Sequence, residues 1–133
     1  MRTLYTLTFY DVFNNYREEF FIGVFESRDE AENAAKRYLS DVPGFRDHNC
    51  GYEIKEKQVI GEADNLETVS IICGWNSDDN MNSSDIWESD LYTDINTART
   101  ELADIQKKID RQEWCVDTYK IGECLWQDGF VRV

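Results

Sequence analysis

Chemistry needs a nucleophile, an acid–base group or a set of metal ligands, and this sequence offers few of each. Its single histidine, His48, stands in the run Phe45-Arg46-Asp47-His48-Asn49-Cys50. A thiol two residues from an imidazole has the parts of a nucleophile and its base. Neighbours so close along the chain rarely present both side chains to one substrate, so a polar turn is the expectation there. A Ser-His-Asp triad would need the same histidine, and no nucleophile elbow accompanies it. The four cysteines, Cys50, Cys73, Cys115 and Cys124, include no C-x-x-C pair, and paired spacing is what zinc sites use. Asp78-x-Asn80-x-Asn82 begins like a calcium loop. Ser83 then stands where the turn glycine belongs, and Ser89 where the bidentate Glu belongs. With 27 Asp and Glu in the chain, close carboxylates arise by chance and single out no hydrolytic dyad. A phosphate-cradling glycine loop is missing as well. The expectation is a non-enzymatic protein without cofactor or metal.

The stretch from Trp75 to Tyr92 suggests recognition. It carries Asp78, Asp79, Asp85, Glu88 and Asp90 without a Lys or Arg, and Trp75, Met81, Trp87 and Tyr92 are interleaved with them. Aromatic anchors among charges are what protein interfaces use. A negative field would also speed capture of a basic partner. Trp75, Asp78, Asp79, Asp85, Trp87, Glu88 and Asp90 are therefore the candidate partner-binding residues. The alternative is a solvated loop whose tryptophans point into the core.

Charge points the same way. Fourteen basic residues oppose the 27 acids, a formal net charge of −13. Phosphate-backbone binding needs basic patches, so direct nucleic-acid binding is not expected. Solubility through self-repulsion, a basic protein partner, or mimicry of nucleic acid each fit. Residues 1–62 hold 8 basic and 12 acidic side chains, and residues 63–133 hold 6 and 15, so the second half carries most of the excess. No run approaches the roughly 20 apolar residues of a membrane span, and the N-terminus lacks a signal-peptide core. The expected location is the cytoplasm, with reduced thiols.

The elements that must position these residues follow from periodicity. Leu4 to Tyr10 alternates, with Tyr5, Leu7 and Phe9 on one face, and reads as a strand. Asp11 to Glu18 is polar, contains Asn14-Asn15 and reads as a turn. Phe20 to Phe25 is apolar on both faces, as in a central strand. Ser27-Arg28-Asp29-Glu30 is a capping box. Ala31, Ala34, Ala35, Tyr38 and Leu39 then recur at helical spacing until Pro43 stops the helix. Tyr52 to Ile60 alternates as a partly exposed strand, with charged residues largely on one face. Glu62 to Asn65 connects, and the order repeats. Val69 to Cys73 and Ile86 to Tyr92 read as strands on either side of a polar loop at 76–84. Asp94 caps a helix with the stripe Ala98, Leu102, Ile105 and Ile109. A strand runs from Trp114 to about Ile121, and Gly129 to Val133 reads as a short terminal strand.

Two halves, 1–62 and 66–133, thus each run strand–strand–helix–strand within one domain spanning 1–133. Ser27 corresponds to Asp94, and Ile60-Gly61-Glu62 to Ile121-Gly122-Glu123. The expected fold is α+β: a two-layer sandwich in which two helices cover an antiparallel sheet of about six strands. The uncovered face must then be polar or bind something.

Some residues resemble a known pattern. Gly23-Val24-Phe25-x-Ser27-x-x-Glu30-Ala31, Pro43-Gly44-Phe45-Arg46-Asp47, Gly51-Tyr52-x-Ile54 and Trp126-Gln127-Asp128-Gly129-Phe130 are similar to an uncharacterised family of small bacterial domains. Those domains carry a strand, a capped helix, a Pro-Gly-Phe turn, a strand and a closing Trp-x-x-Gly-Phe. The resemblance covers about half the chain. It implies an α+β fold and a bacterial or phage origin, and it supplies no active site.

The functional expectation is an acidic binding protein. An immunity protein or inhibitor that neutralises a basic, nuclease-type partner is the leading form. A regulatory or self-associating interaction module and a small carboxylate-dependent enzyme are the alternatives.

Overall fold

The computed structural model describes residues 2–13, 16–48, 50–76 and 86–130, apart from the side chains of residues 12, 13, 16 and 17. Strand β1 spans Thr3–Phe13 and β2 Tyr16–Phe25. Both extend through much of the polar stretch at 11–18 expected to be a turn; only its tip, residues 14 and 15, lies outside the described residues. Helix α1 spans Arg28–Asp41, and β3 spans Gly51–Ile60. The second half follows with β4 at Thr68–Trp75, β5 at Trp87–Tyr92, α2 at Ile95–Lys108 and β6 at Glu113–Lys120. Of the terminal strand expected at 129–133, residues 129 and 130 are not strand, because they turn back onto α1's end, and residues 131–133 lie outside the described residues. Among the described residues no helix is long and apolar enough to cross a membrane.

Both helices begin and end for the same local reasons. Ser27 Oγ accepts the Glu30 N–H at 3.1 Å, and Asp94 Oδ1 accepts the Asn96 N–H at 2.9 Å. Each satisfies an otherwise orphaned donor of the first turn. At the other end the backbone leaves helical geometry at Val42 and Ile109, whose N–H groups donate to Tyr38 and Ile105 carbonyls.

The six strands form one sheet in the order β2-β1-β3-β5-β4-β6. Each half places its first strand between its second and third. Within each half the pairing is antiparallel; β3 and β5, where the halves meet, are parallel through Val59 opposite Leu91 and Ile60 opposite Tyr92. The sheet is therefore mixed rather than antiparallel throughout. Both helices lie on its convex side. Helix α1 buries Ala31, Ala34, Ala35 and Tyr38 among Leu7, Phe9, Phe20, Ile22 and Phe25. Helix α2 covers Ile72, Tyr92, Trp87, Trp114 and Val116 through Ala98, Leu102 and Ile105.

The uncovered face is not flat. The sheet curls into a half-barrel until the segment after β6 reaches the edge of β2. Gly122 N–H donates to Val24 O and Leu125 N–H to Ile22 O, each at 2.7 Å. Phe21 of β2 stacks on Tyr119 of β6 with ring centroids 4.4 Å apart. Gly23 permits the approach, since a Cβ there would meet the Glu123 carbonyl. Leu4, Val24, Val59, Val69, Ile71 and Leu91 fill the concave side, so one end of the curl is a second apolar core.

Residues 126–130 are fastened to the turn after α1. Phe130 stacks on Phe20 at 4.5 Å and meets Phe45 edge-on at 5.0 Å, while Trp126 meets Phe20 edge-on at 5.0 Å. Phe130 N–H donates to Pro43 O at 3.1 Å. Two glycines make room: a Cβ on Gly44 would strike the Phe130 ring, and one on Gly129 would strike Pro43. Both also have positive φ, 89° and 79°, which glycine adopts without steric cost. Tyr38 Oη donates to Leu125 O at 2.6 Å, and burial pushes its phenol up to about 12.

Candidate functional site

Strand β3 is partly exposed, as its alternation implied, with Glu53 exposed and Lys55 half-buried on the charged face. Toward its end the curl encloses that face: Lys57 is 8% exposed, and its Nζ donates to Ser89 O at 3.0 Å. Lys55 Nζ reaches Glu88 Oε1 at 2.8 Å. Desolvation pulls the Lys55 ammonium down, but Glu88, with Glu53 and Glu19 nearby, outweighs it and holds the group above the ordinary lysine value.

Strand β5 explains these contacts. Ile71 faces Leu91 and Cys73 faces Glu88, so β5 carries one extra residue between the two pairs. Such a bulge interrupts the ladder. Side chains repair it on both sides. Ser89 Oγ accepts the Ile72 N–H at 2.8 Å and donates to Asp90 O at 2.6 Å; Asp90 Oδ1 accepts the Gln58 N–H at 3.2 Å. Glu88 and Asp90, both candidate partner contacts, thus stitch the seam between the halves.

Beyond the apolar end of the curl lies a groove of about 280 Å³ lined by Thr8, Glu19, Phe21, Trp75, Glu88 and Asp117, with Ile71, Cys73, Ile86, Cys115 and Tyr119 completing the wall. Asp117 Oδ2 accepts from Cys115 Sγ at 3.3 Å and from Tyr119 Oη at 3.4 Å. Burial, then the Asp117 hydrogen bond, pushes the Cys115 thiol up to about 11. Burial also raises the Cys73 thiol, reinforced by the negative charge of Glu88. Neither is an activated nucleophile, because activation requires the opposite shift. The volume falls just below the roughly 300–1,000 Å³ of small-molecule sites. It suits one long side chain better than a cofactor.

Of the seven candidate residues, the structure brings Trp75 and Glu88 together in this groove. Asp90 sits in the seam. Trp87 lies on the convex side under α2, edge-on to Trp114 at 5.9 Å, so its role is packing. Asp78, Asp79 and Asp85 lie outside the described residues, as does the calcium-like start at 78–82. Sequence reasoning missed Cys115, Asp117 and Tyr119. Their signal was the alternation opposite Trp114, Val116 and Thr118 on β6. The Cys–His pair separates: His48 is exposed and stacks on Phe130 at 5.6 Å, whereas Cys50 is buried with its Sγ 4.0 Å from Gly44 O.

Set against known proteins, the chain matches no family model, no curated protein and no solved structure.

Proposed function

We propose that this is a non-enzymatic acidic binding protein that neutralises a basic partner, in the manner of an immunity protein or inhibitor of a nuclease-type enzyme. The observation that carries the reading is the groove. Glu19, Glu88 and Asp117 line it beside Phe21, Trp75 and Tyr119, and Lys55 is the cation set among Glu88, Glu53 and Glu19. Carboxylates form charge-assisted, often bidentate hydrogen bonds to a guanidinium. Aromatic faces add about 0.5–2 kcal/mol of cation–π attraction. A partner arginine entering here would meet both, and the net charge of −13 would steer it in. Asp78, Asp79 and Asp85 stand in the sequence between Trp75 and Glu88 and are proposed to add to the same negative field.

Capture on immobilised protein tests this with two variants. Asp117→Lys alters the groove; charge reversal of Asp78, Asp79 and Asp85 alters the acidic stretch between Trp75 and Glu88. A basic protein retained by the wild type and lost with Asp117→Lys is the expected result. Retention by both variants, or capture of no basic protein, would overturn it.

We also propose that the two halves descend from one duplicated unit, arranged as helix layer on sheet. Four correspondences support this. The strand order within each half is the same. The helix caps Ser27 and Asp94 match, as do the helix ends Val42 and Ile109. Gly61 and Gly122, after the third strands, both have positive φ, 101° and 87°. Superposition of 1–62 on 66–133 tests it; a helix in a different place on its three strands would end it. The motifs resembling small bacterial domains are read as the fastening of residues 126–130 to the α1 turn.

A further inference from the structure

Two of the four cysteines face each other. Cys73 on β4 and Cys115 on β6 are direct partners in the antiparallel register, and both line the groove. Opposed residues of such a pair have Cα atoms about 4.5 or 5.5 Å apart. Both values lie inside the ~4.4–6.8 Å that a disulfide spans. The two thiols are free and close enough for their side chains to interact. Both are partly exposed through the groove mouth. Cys50 and Cys124, by contrast, lie in or against the core beneath α1.

We propose that Cys73 and Cys115 form a reversible disulfide site, closed by exchange with a low-molecular-weight disulfide. The Cys115 thiolate attacks one sulfur of the small disulfide, whose S–S bond breaks and releases one small thiolate. The Cys73 thiolate then attacks the Cys115 sulfur, forming the protein S–S bond and expelling the second small thiolate. Two protein thiols are oxidised and one small disulfide is reduced to two thiols. The two protons lost by the protein pass through water to the departing thiolates.

The site favours slow closure. The raised thiols leave little thiolate at neutral pH, so exchange accelerates as pH rises. With the strands held in register, the second step is intramolecular. Closure removes the S–H donor from Asp117, leaving that carboxylate the Tyr119 hydroxyl. The lost hydrogen bond to Asp117 matters for partner capture only if the binding reading holds; the bond itself does not depend on it.

The test treats the folded, reduced protein with oxidised glutathione at pH 8 and pH 9.5, quenches in acid, alkylates the remaining thiols under denaturing conditions and maps the peptides by mass. The expected result is a Cys73–Cys115 linked peptide, faster at the higher pH, with Cys50 and Cys124 alkylated. Oxidation should raise the melting midpoint by about 5–10 °C, reversed by a reductant. Cys73→Ser should retain glutathione on Cys115. Links through Cys50 or Cys124, a stable glutathione adduct on the wild type, or no linkage at pH 9.5 would overturn the proposal.

Discussion

Removing Lys55 should cost more than removing Glu88, and the two losses should not add. Their charged atoms are 2.8 Å apart. Two unit charges at that distance attract by ~1.5 kcal/mol in a water-like dielectric and ~6 kcal/mol at an effective dielectric of about 20. The Lys55 side chain is 39% exposed, which screens the pair toward the lower figure; Glu88, at 13%, keeps it from vanishing. A coupling energy of about 1–2 kcal/mol follows. Lys55→Met strands Glu88 near Glu19 and Glu53 and should cost about 2–3 kcal/mol. Glu88→Gln leaves Lys55 other acids and should cost about 1 kcal/mol. Urea denaturation of both single variants, the double variant and the wild type at pH 7 closes the cycle. Because the folded Lys55 value lies above the unfolded one, the stabilisation is fully present below the ordinary lysine value and is lost as pH rises through the folded one. A coupling below about 0.3 kcal/mol, or a Lys55→Met protein as stable as the wild type, would refute the electrostatic account of the groove.

Three further outcomes are expected. Phe130→Ala opens a half-buried contact with Phe20, Phe45 and His48 and should cost about 2–3 kcal/mol in urea denaturation; a loss under about 0.5 kcal/mol would mean the chain's end does not fasten the fold. Ser27→Ala and Asp94→Ala each remove one helix cap and should each cost about 1 kcal/mol, adding in the double variant because the two helices sit in different halves. Iodoacetamide alkylation of Cys115, whose thiol is held at about 11, should accelerate about tenfold per pH unit from pH 8 to 10; a plateau near pH 8.5 would show an unshifted thiol.

What the sequence disclosed was local. The alternation of Tyr5, Leu7 and Phe9, the Ser27 and Asp94 caps and the stop before Pro43 each depend on a few adjacent residues, and all appear in the structure. The curl was hidden, because no strand's own pattern encodes it. It arises where residues 122–125 meet β2, nearly a hundred positions away. That curl buries Lys57 and brings Lys55 against Glu88 on the charged face of β3, and with it moves the candidate site. The bulge in β5 was equally silent, yet it sends Trp87 outward to α2 and leaves Glu88 in the groove. Polar residues at 11–18 read as a turn because a polar strand pair and a loop share a composition; only cross-strand pairing distinguishes them.

The central claim is that the groove receives a cationic side chain, and an NMR titration with a short oligo-arginine peptide tests it most directly. The largest amide shifts are expected at Cys73, Trp75, Glu88, Cys115 and Asp117, and Asp117→Asn should weaken the peptide about tenfold, the factor for a loss of about 1.4 kcal/mol. Shifts spread evenly over the carboxylates of α1 and α2, with affinity unchanged by Asp117→Asn, would contradict it and leave the negative charge as a means of solubility alone.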